Sequence, residues 1–520
     1  MKSIQLCTLV ALVFVALFSW KAPAVAQDTG IVPEKKLAKE LQGLADVCYE
    51  MGIKAKDRGI YKFAKSFFNH ALLYDPDHRE TRKILGFKKK GKDWVGDKED
   101  YGMPTSNTVR KEKEAEAFGK VWDETKDLRT KAADKLFEFV ADEKLDTRQR
   151  ILALHHLMLI DPLHDKAHRA AGLEAAPPGT SESPWLHSRD RDFAHQRNTW
   201  NSGTPDAAVV TDKSPYEETL GLTLAKARGE RFFFHIGTDL NAETLAQTLT
   251  PFADSTWKRA HEYLGLTLEE APKEDGKRLH YSVFQTRDKY AQFIEKCAGI
   301  EDAARRKEIA EQGYGYATRK PNGNVWLYPF PNEPSALRDG VAHEIGSYII
   351  GSKCGYRLYW LNRGLGFTLS NRAMGTVKAT FVTIKGTAII DSGGVESMPG
   401  LGTNAGSWRF KVILAIAGGK SLNLKDLTQV SPSGFTELHG AFAFGYTEFL
   451  LEKHQAKLAP FLEDAYNDTY QRYQKKEKPE SPDDTLNRLL KHLDLPIDKI
   501  QTDFAAWAAE NYLKLPKKES

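Results

Sequence analysis

The chain has 520 residues, with 74 lysines and arginines against 70 aspartates and glutamates. One hydrophobic core seldom organises so long a chain, so two or three domains are expected. The near balance of charge argues against nucleic acid as a partner. The 41% share of hydrophobic residues and the mean hydropathy of -0.49 are ordinary for a soluble globular protein and give no reason to expect disorder.

The N-terminus predicts an export signal. Lys2 precedes an apolar run over residues 6–20, and Ala24-Val25-Ala26 forms an A-x-A cleavage site. We therefore expect a signal peptide at residues 1–26 and a periplasmic or extracellular mature chain. An uncleaved membrane anchor is the alternative, although the run is short for a span of about 20 residues. No later stretch is apolar enough to cross a bilayer.

Residues 27–173 are expected to form an all-α region. Small, aromatic and Pro residues stand at the spacing of a helix pair, namely Gly52, Gly59, Tyr61, Ala64, Phe68, Ala71 and Pro76. This pattern resembles a tetratricopeptide (TPR) repeat over residues 45–78, with an ordinary helical hairpin as the alternative. The string Asp75-Pro76-Asp77-His78 recurs as Asp161-Pro162-Leu163-His164, but Glu138 and Leu145 occupy positions that should be small, so a second full repeat is not expected.

The second half of the chain predicts an α+β domain. The small, Pro and Gly residues of 174–181 begin a predicted linker over residues 174–227. Aromatic and β-branched residues predict strands over 278–284 and 324–330, the second after the turn string 320–323. Leu337, Val341, Ile345 and Ile349 recur every four residues and predict a helix that starts near Pro334 and ends near Gly351, with His343 and Ser347 on its other face.

The predicted helix carries part of a zinc-peptidase pattern. In H-E-x-x-H, two histidines one turn apart bind Zn²⁺ and the Glu activates water. Here His343 and Glu344 are present, but the second His is replaced by Ser347. The strings A-H-E-I-G-S and W-L-N-R-G resemble the gluzincin-type (peptidase MA-like) metallopeptidases over residues 228–515. That resemblance implies a zincin-like fold and places Arg363 where the family has its third ligand, a Glu.

An arginine at a ligand position argues against zinc. A guanidinium about 4 Å from Zn²⁺ is repelled by about 8 kcal/mol at an effective dielectric near 20. We therefore expect no bound metal, vestigial roles for His343 and Glu344, and no hydrolysis. Because Arg prefers a carboxylate partner, we expect Glu344 and Arg363 to lie within about 6 Å of each other.

Several secondary assignments follow. A helix opening at Ala441 carries Tyr446, which the resemblance makes a candidate for steadying an oxyanion, with a packed core Tyr as the alternative. Asp339, His343 and Ser347 share one helical face in acid, base and nucleophile order, but no G-x-S-x-G string supports a serine hydrolase. After signal removal three cysteines remain, and a bridge between Cys297 and Cys354 is possible but not deducible.

The sequence thus predicts a multidomain, exported protein with an all-α TPR-like region and an α+β zincin-like domain. Its expected function is non-catalytic binding of a peptide or protein, without a cofactor. One alternative is an active zinc metallopeptidase whose site is rebuilt with ligands such as His439. Another is an interaction scaffold based on the TPR-like region. The ligand and the oligomeric state stay open.

Overall fold

A computed structural model of the protein describes residues 35–96, 104, 106–175, 185–197, 199–238, 241–319, 322–328, 334–375, 377, 380–384, 387–391 and 405–516. The described residues are mainly helical, with one mixed six-stranded sheet and three two-stranded sheets. The predicted signal peptide lies outside them. No helix that they form is long and apolar enough to cross a membrane.

The N-terminal part consists of antiparallel helix pairs and short β-hairpins. Its elements are α1 (Lys35–Asp57), α2 (Tyr61–Tyr74), α3 (Arg79–Ile84), β1 (Lys88–Lys90), β2 (Asp93–Val95), α4 (Glu114–Glu124), α5 (Lys126–Ala141), α6 (Thr147–Ile160), α7 (Asp165–Ala170), β3 (Leu173–Ala175) and β4 (Trp185–His187). The helix pair predicted over residues 45–78 is present as α1 and α2. Gly52 lets them approach closely, because a Cβ there would stand 2.5 Å from the Phe68 ring.

A second helix hairpin is also present, although it is not thereby a second full repeat. Helices α5 and α6 pack on each other as α1 and α2 do. Glu138 does not obstruct them, because its side chain is exposed while Ala133, Leu136 and Val140 of the same helix are buried. The hairpin therefore forms without the small residue that the repeat pattern has at position 138.

The two hairpins also end in the same capping arrangement. His78 Nδ1 accepts the Thr81 backbone N–H at 3.2 Å, and its Nε2 donates to Asp46 at 3.0 Å. In the second unit His164 Nδ1 accepts a backbone N–H at 3.2 Å, and its Nε2 donates to Asp134 at 3.2 Å. The recurring Asp-Pro-x-His string is thus a helix N-cap that also ties the cap to the first helix of its hairpin.

The six-stranded sheet follows the helical part. Its strands are β5 (Ala208–Val209), β6 (Ala225–Arg228), β7 (Phe232–Gly237), β8 (Leu279–Phe284), β9 (Gly315–Arg319) and β10 (Asn322–Leu327) in the order β5-β6-β7-β8-β10-β9. Strands β7, β8 and β10 are parallel, and the outer pairings are antiparallel. The strand predicted over 278–284 is confirmed. The strand that precedes the His343 helix, β10, is internal to the sheet, and β9 is at its edge.

Both faces of the sheet are covered by helices. One face packs under α9 (Pro215–Leu220), α11 (Arg287–Lys296) and α12 (Ala303–Gln312). The other face packs on α10 (Ala242–Leu264), which also contacts the helix carrying His343. Strand residues therefore alternate between two apolar environments, which explains why the predicted strands were so rich in aromatic residues.

The remaining chain is mostly helical. Its elements are α13 (Pro334–Cys354), α14 (Tyr359–Met374), β11 (Thr380–Ile384), β12 (Thr387–Asp391), α15 (Ala405–Ala417), α16 (Leu424–Gln429), α17 (Glu437–Lys453), α18 (Gln455–Gln474), α19 (Pro482–Leu493) and α20 (Ile497–Tyr512). The predicted helix around His343 is confirmed as α13. It continues through Gly351, which was expected to end it, because residues up to Cys354 keep the helical hydrogen bonds.

The range 174–227, predicted as a linker, contains β4, α8 (Arg191–Arg197), β5, α9 and β6. Asp190 in this range is buried and forms an ion pair with the buried Arg409 of α15. The chain end returns to the N-terminal helices, since Lys514 N donates to the Ala170 carbonyl at 2.9 Å. Buried side chains of both halves form one continuous cluster, so this range is more than a connection between domains.

No disulfide bond links the described parts of the chain. Cys48, Cys297 and Cys354 are all free thiols, so the bridge considered between Cys297 and Cys354 is absent. Cys354 is buried at the end of α13, and its Sγ donates to the Ile350 carbonyl at 3.4 Å. Packing and hydrogen bonds alone hold this helix end in place.

Candidate functional site

The candidate site lies where α13 and α14 cross. Their backbones touch, because a Cβ on Gly346 would stand 2.8 Å from the backbone N of Gly366. A Cβ on Gly366 would in turn stand 2.7 Å from both Nδ1 and the carbonyl O of His343. This crossing requires glycine on both helices. It carries Arg363, three residues before Gly366, to the His343 side chain.

Arg363 contacts both residues of the His-Glu pair. Its Nη1 lies 3.0 Å from His343 Nε2 and 3.4 Å from Glu344 Oε1. The predicted Glu344–Arg363 contact is confirmed. A guanidinium can only donate, so His343 Nε2 must accept and the imidazole is neutral with its proton on Nδ1. The ring nitrogen that commonly binds zinc is therefore occupied by an arginine N–H.

Burial and mutual contact shift the pKa values of these three groups. Burial, with a further contribution from Arg363, lowers the pKa of His343 well below its usual value. Burial raises the pKa of Glu344, and Arg363 opposes this by favouring the carboxylate. Burial alone would lower the pKa of Arg363, but Tyr359 and Glu344 outweigh it and raise that pKa. Arg363 therefore stays charged at every ordinary pH.

The residues present do not fit a catalytic zinc. Ser347 is buried in the place of the second His, and Asn362 Nδ2 donates to its carbonyl at 3.1 Å. His439, the suggested replacement ligand, instead caps α17, where its Nδ1 accepts the Thr436 N–H at 3.1 Å. Within the part of the chain that the structure describes, no three His, Cys, Asp or Glu side chains converge as a metal site. A zinc enzyme needs three protein ligands and an open position.

The acid–base–nucleophile alternative fails because a substrate cannot reach the three residues. Asp339, His343 and Ser347 lie on one face of α13, as predicted, but α14 covers that face and all three are buried. The Asp339 carbonyl accepts the Ser370 hydroxyl of α14 at 3.0 Å. A substrate could not reach Ser347 without separating the two helices.

Tyr446 lies in a packed core. Its hydroxyl donates to the Leu422 carbonyl at 3.3 Å, and its ring stacks on Phe504 at 3.9 Å and lies edge-on to Trp360. Burial raises its pKa. These contacts favour the alternative interpretation, a core Tyr whose hydroxyl is satisfied by a backbone carbonyl.

Sequence reasoning missed the tyrosines of the site. Tyr359 accepts a hydrogen bond from Arg363 Nε at 2.8 Å, and the guanidinium lies 5.0 Å from its ring centre. The Tyr348 hydroxyl accepts from Asn322 Nδ2 at 2.5 Å, which joins the site to the β9–β10 hairpin. The signal was spacing, because Tyr359 precedes Arg363 by four residues and Tyr348 follows Glu344 by four, so each pair shares a helical face.

The Arg363–Glu344 pair is partly open to solvent. The Arg363 side chain is 15% exposed and that of Glu344 is 17% exposed, whereas His343 beneath them is fully buried. The arrangement offers hydrogen-bond donors, a carboxylate and phenol rings to a bound molecule. His343 Nε2 and Glu344 Oε1 are both engaged by the Arg363 guanidinium. Comparison of the chain with protein-family models, with curated proteins and with solved structures found no match.

Proposed function

We propose that the protein is an exported, zincin-like pseudopeptidase that binds a peptide or protein segment without cleaving it. The observation that carries this proposal is the Arg363 guanidinium, which takes a hydrogen-bond position on both His343 Nε2 and Glu344. His343 and Glu344, the groups that would bind zinc and activate water, are instead hydrogen-bonded to Arg363. The gluzincin-type resemblance supplies the expectation of a peptide-binding cleft.

The sheet edge beside the site supports a peptide as the ligand. Strand β9 pairs with β10 on one side, and no other described strand pairs with its outer side. The hairpin is tied to the site by the Asn322–Tyr348 hydrogen bond. An extended segment can add to a free strand edge through main-chain hydrogen bonds, while nearby pockets read its side chains. A ligand on β9 would therefore lie next to α13 and its tyrosines.

The metal question is tested by rebuilding the site. The mature protein, residues 27–520, is dialysed against a weak chelator, exposed to excess Zn²⁺, desalted and assayed for zinc. We expect no stoichiometric zinc in the unaltered protein and one zinc per chain in the double variant Ser347→His, Arg363→Glu, which restores the ligand set. Arg363→Gln serves as the control, because it removes the charge without adding ligands. One tightly held zinc in the unaltered protein would overturn the pseudopeptidase.

Peptide binding is tested with fluorescein-labelled unfolded casein as the probe. We expect its fluorescence anisotropy to rise on addition of the protein, with no fragments on gels after prolonged incubation. The variant Asn322→Ala, Tyr348→Ala should weaken binding, because it cuts the contact between the β9–β10 hairpin and α13. Cleavage, or binding that ignores this variant, contradicts the proposal.

A scaffold role for the helical region is the second candidate, because the capped helix hairpin occurs twice. Repeated hairpins present similar surfaces side by side, and such surfaces commonly bind other proteins. Casein binding that survives the hairpin–α13 variant and is abolished by charge reversal at the exposed Asp46 and Asp134 would favour this role. The intact chain is used throughout, since the helical region shares its core with the rest.

A further inference from the structure

Helix α18 exposes a row of tyrosines. Tyr466, Tyr470 and Tyr473 are spaced by four and three residues and therefore share one helical face. They are 44%, 55% and 78% exposed, although a Tyr ring is largely apolar. A neighbouring face of α18, about a quarter-turn around the helix, carries its buried residues, which are Leu458, Phe461, Leu462 and Ala465. The helix is thus anchored by one apolar face and presents a second, aromatic one to solvent.

The row continues to the candidate site. Lys353, at the end of α13, places its ammonium 4.9 Å from the Tyr466 ring centre. Arg357, in the turn after α13, donates to Thr469 Oγ1 of α18 at 2.5 Å. Between them stands Tyr356, which is 61% exposed and within electrostatic range of both Glu344 and Arg363. We call Tyr356, Tyr466, Tyr470 and Tyr473 the tyrosine face.

The composition of this face is that of a binding surface. Tyr supplies a large, rigid contact area at a small entropy cost, and it is enriched where proteins bind each other. Exposed Asn467 and Gln474 lie beside the rings and can hydrogen-bond a polypeptide backbone. Isolated exposed aromatic residues are common, but Tyr466, Tyr470 and Tyr473 stand in one row on the same helix, and Tyr356 lies in the turn that contacts this helix.

The charged residues at the end of the row indicate the charge that the ligand should carry. Lys475, Lys476 and Lys478 are exposed just after Tyr473, with Glu477 as the one acid among them. None of these three lysines forms an ion pair with any described residue, whereas the nearby Arg472 and Arg488 are neutralised by Asp468, Asp464 and Glu480. At the other end of the row stands the exposed Glu463. An acidic ligand segment would therefore place its carboxylates at the lysine end.

We propose that the tyrosine face docks an acidic polypeptide segment, which continues from the ligand bound at the candidate site. The inference rests on the proposed function, because it extends the same ligand beyond the cleft. Tyr466 and Tyr473 are about 10 Å apart along the helix, since each residue rises 1.5 Å. About three extended ligand residues span that distance, so aromatic contacts and lysine contacts fall within one short segment.

The test uses a phage-displayed library of random dodecapeptides selected on the intact mature protein. We expect an enriched pool in which Asp and Glu outnumber Lys and Arg. Binding of that pool should fall at least about tenfold in the variant Tyr466→Ser, Tyr470→Ser, Tyr473→Ser, as for loss of interface aromatic anchors. The variant Lys475→Gln, Lys476→Gln, Lys478→Gln should weaken binding and flatten its salt dependence.

The matched control is Lys88→Gln, Lys89→Gln, Lys90→Gln, which removes three exposed lysines from β1 and should leave binding unchanged. No enrichment, a neutral or basic pool, or equal binding to the tyrosine variant overturns the inference. Self-association of the protein that depends on the same tyrosines also overturns it, because the occupant is then a second copy. All substituted side chains are exposed, so the variants should unfold at the same temperature as the unaltered protein.

The failure of this inference and of the proposed function can be told apart with the variant Asn322→Ala, Tyr348→Ala. A pool that is lost in the tyrosine variant but unaffected by this one supports the tyrosine face and contradicts binding in the cleft. A pool with the opposite response supports the cleft and contradicts the tyrosine face. Loss in both variants supports a single ligand that spans the two surfaces.

Discussion

Arg363 sets the hydrogen bonding of the residues around it. Its five N–H groups can only donate, so it converts the lone pair of His343 Nε2 and a Glu344 oxygen into satisfied acceptors. A neutral residue at this position would leave that nitrogen available to a metal. The guanidinium also keeps its charge when buried, which Lys does less well. The guanidinium therefore satisfies two buried acceptors while it keeps its charge.

Asp254 should make stability depend on pH. Burial raises its pKa from 3.8 to about 6, although its carboxylate accepts the N–H groups of Arg231 and Glu230, which oppose the shift. The folded state thus binds this proton more tightly. The contribution of Asp254 to the free energy of unfolding is fully present below about pH 4 and is lost as the pH rises through about 6. Its upper bound is about 3 kcal/mol.

The measurement is urea unfolding at pH 4, 5, 6 and 7 for the unaltered protein and for Asp254→Asn. Other carboxyl groups titrate equally in both proteins, so the difference in unfolding free energy isolates Asp254. That difference should favour the unaltered protein most at pH 4 and shrink towards pH 7. A difference that is constant, or that grows with pH, contradicts the assignment.

Thiol reactivity should distinguish the cysteines. Cys48 and Cys354 are buried, and burial raises the pKa of each to about 12, so little reactive thiolate forms. Cys297 is only partly buried. We expect one thiol of the native mature protein to react with Ellman's reagent and all three to react in guanidinium without a reductant. Only one reactive thiol in guanidinium would mean that a disulfide exists.

At the scale of elements, the crossing of α13 and α14 determines how much of the His-Glu motif is exposed to solvent. Its glycines bring the backbones together, and this buries His343 and Ser347 instead of exposing them. The periodicity of α13 was read as one apolar and one polar face. Both faces are in fact covered, one by α10 and the other by α14. A polar face on a helix is exposed only if no second helix is packed there.

Gly366→Ala should separate these helices. The added methyl would stand 2.7 Å from His343, a distance that packed atoms cannot keep, so we expect a loss of about 1–3 kcal/mol in unfolding free energy. Gly43→Ala is the matched control. It also lies inside a helix but meets no atom within 4 Å, so it should gain about 0.5–1 kcal/mol. Chemical denaturation measures both, and equal effects would mean that the crossing is looser than described.

At the scale of the whole molecule, a buried ion-pair network joins distant parts of the chain. Arg409 of α15 donates to Asp190 at 2.6 and 2.8 Å and to Glu448 of α17 at 2.9 and 2.6 Å. The Tyr512 hydroxyl of α20 donates to the same Glu448 at 2.8 Å. Burial raises the pKa of Asp190, but Arg409 outweighs it and holds that pKa at about 2. Asp190 and Arg409 are therefore both charged at neutral pH.

Arg409→Leu should be strongly destabilising, because two buried carboxylates lose their shared cation. We expect a loss of about 3–5 kcal/mol. Arg305→Leu, which breaks an exposed pair with Glu308, should cost less than about 1 kcal/mol. Calorimetry of both variants also reports whether the protein still unfolds in one transition. Equal melting temperatures for the two variants would contradict a structural role for the network.

The sequence by itself determined the local features of this protein. Periodicity located α13, the β8 strand and the first helix pair, and charge preference paired Glu344 with Arg363, because these depend on neighbours along the chain or on the chemistry of two residues. The tertiary structure alone decided the rest. It showed the second capped hairpin, the internal position of β10, the burial of His343 and Ser347, and the Asp190–Arg409 contact between residues 219 positions apart. Such features depend on which surfaces pack together, and local patterns carry no information about a partner hundreds of residues away.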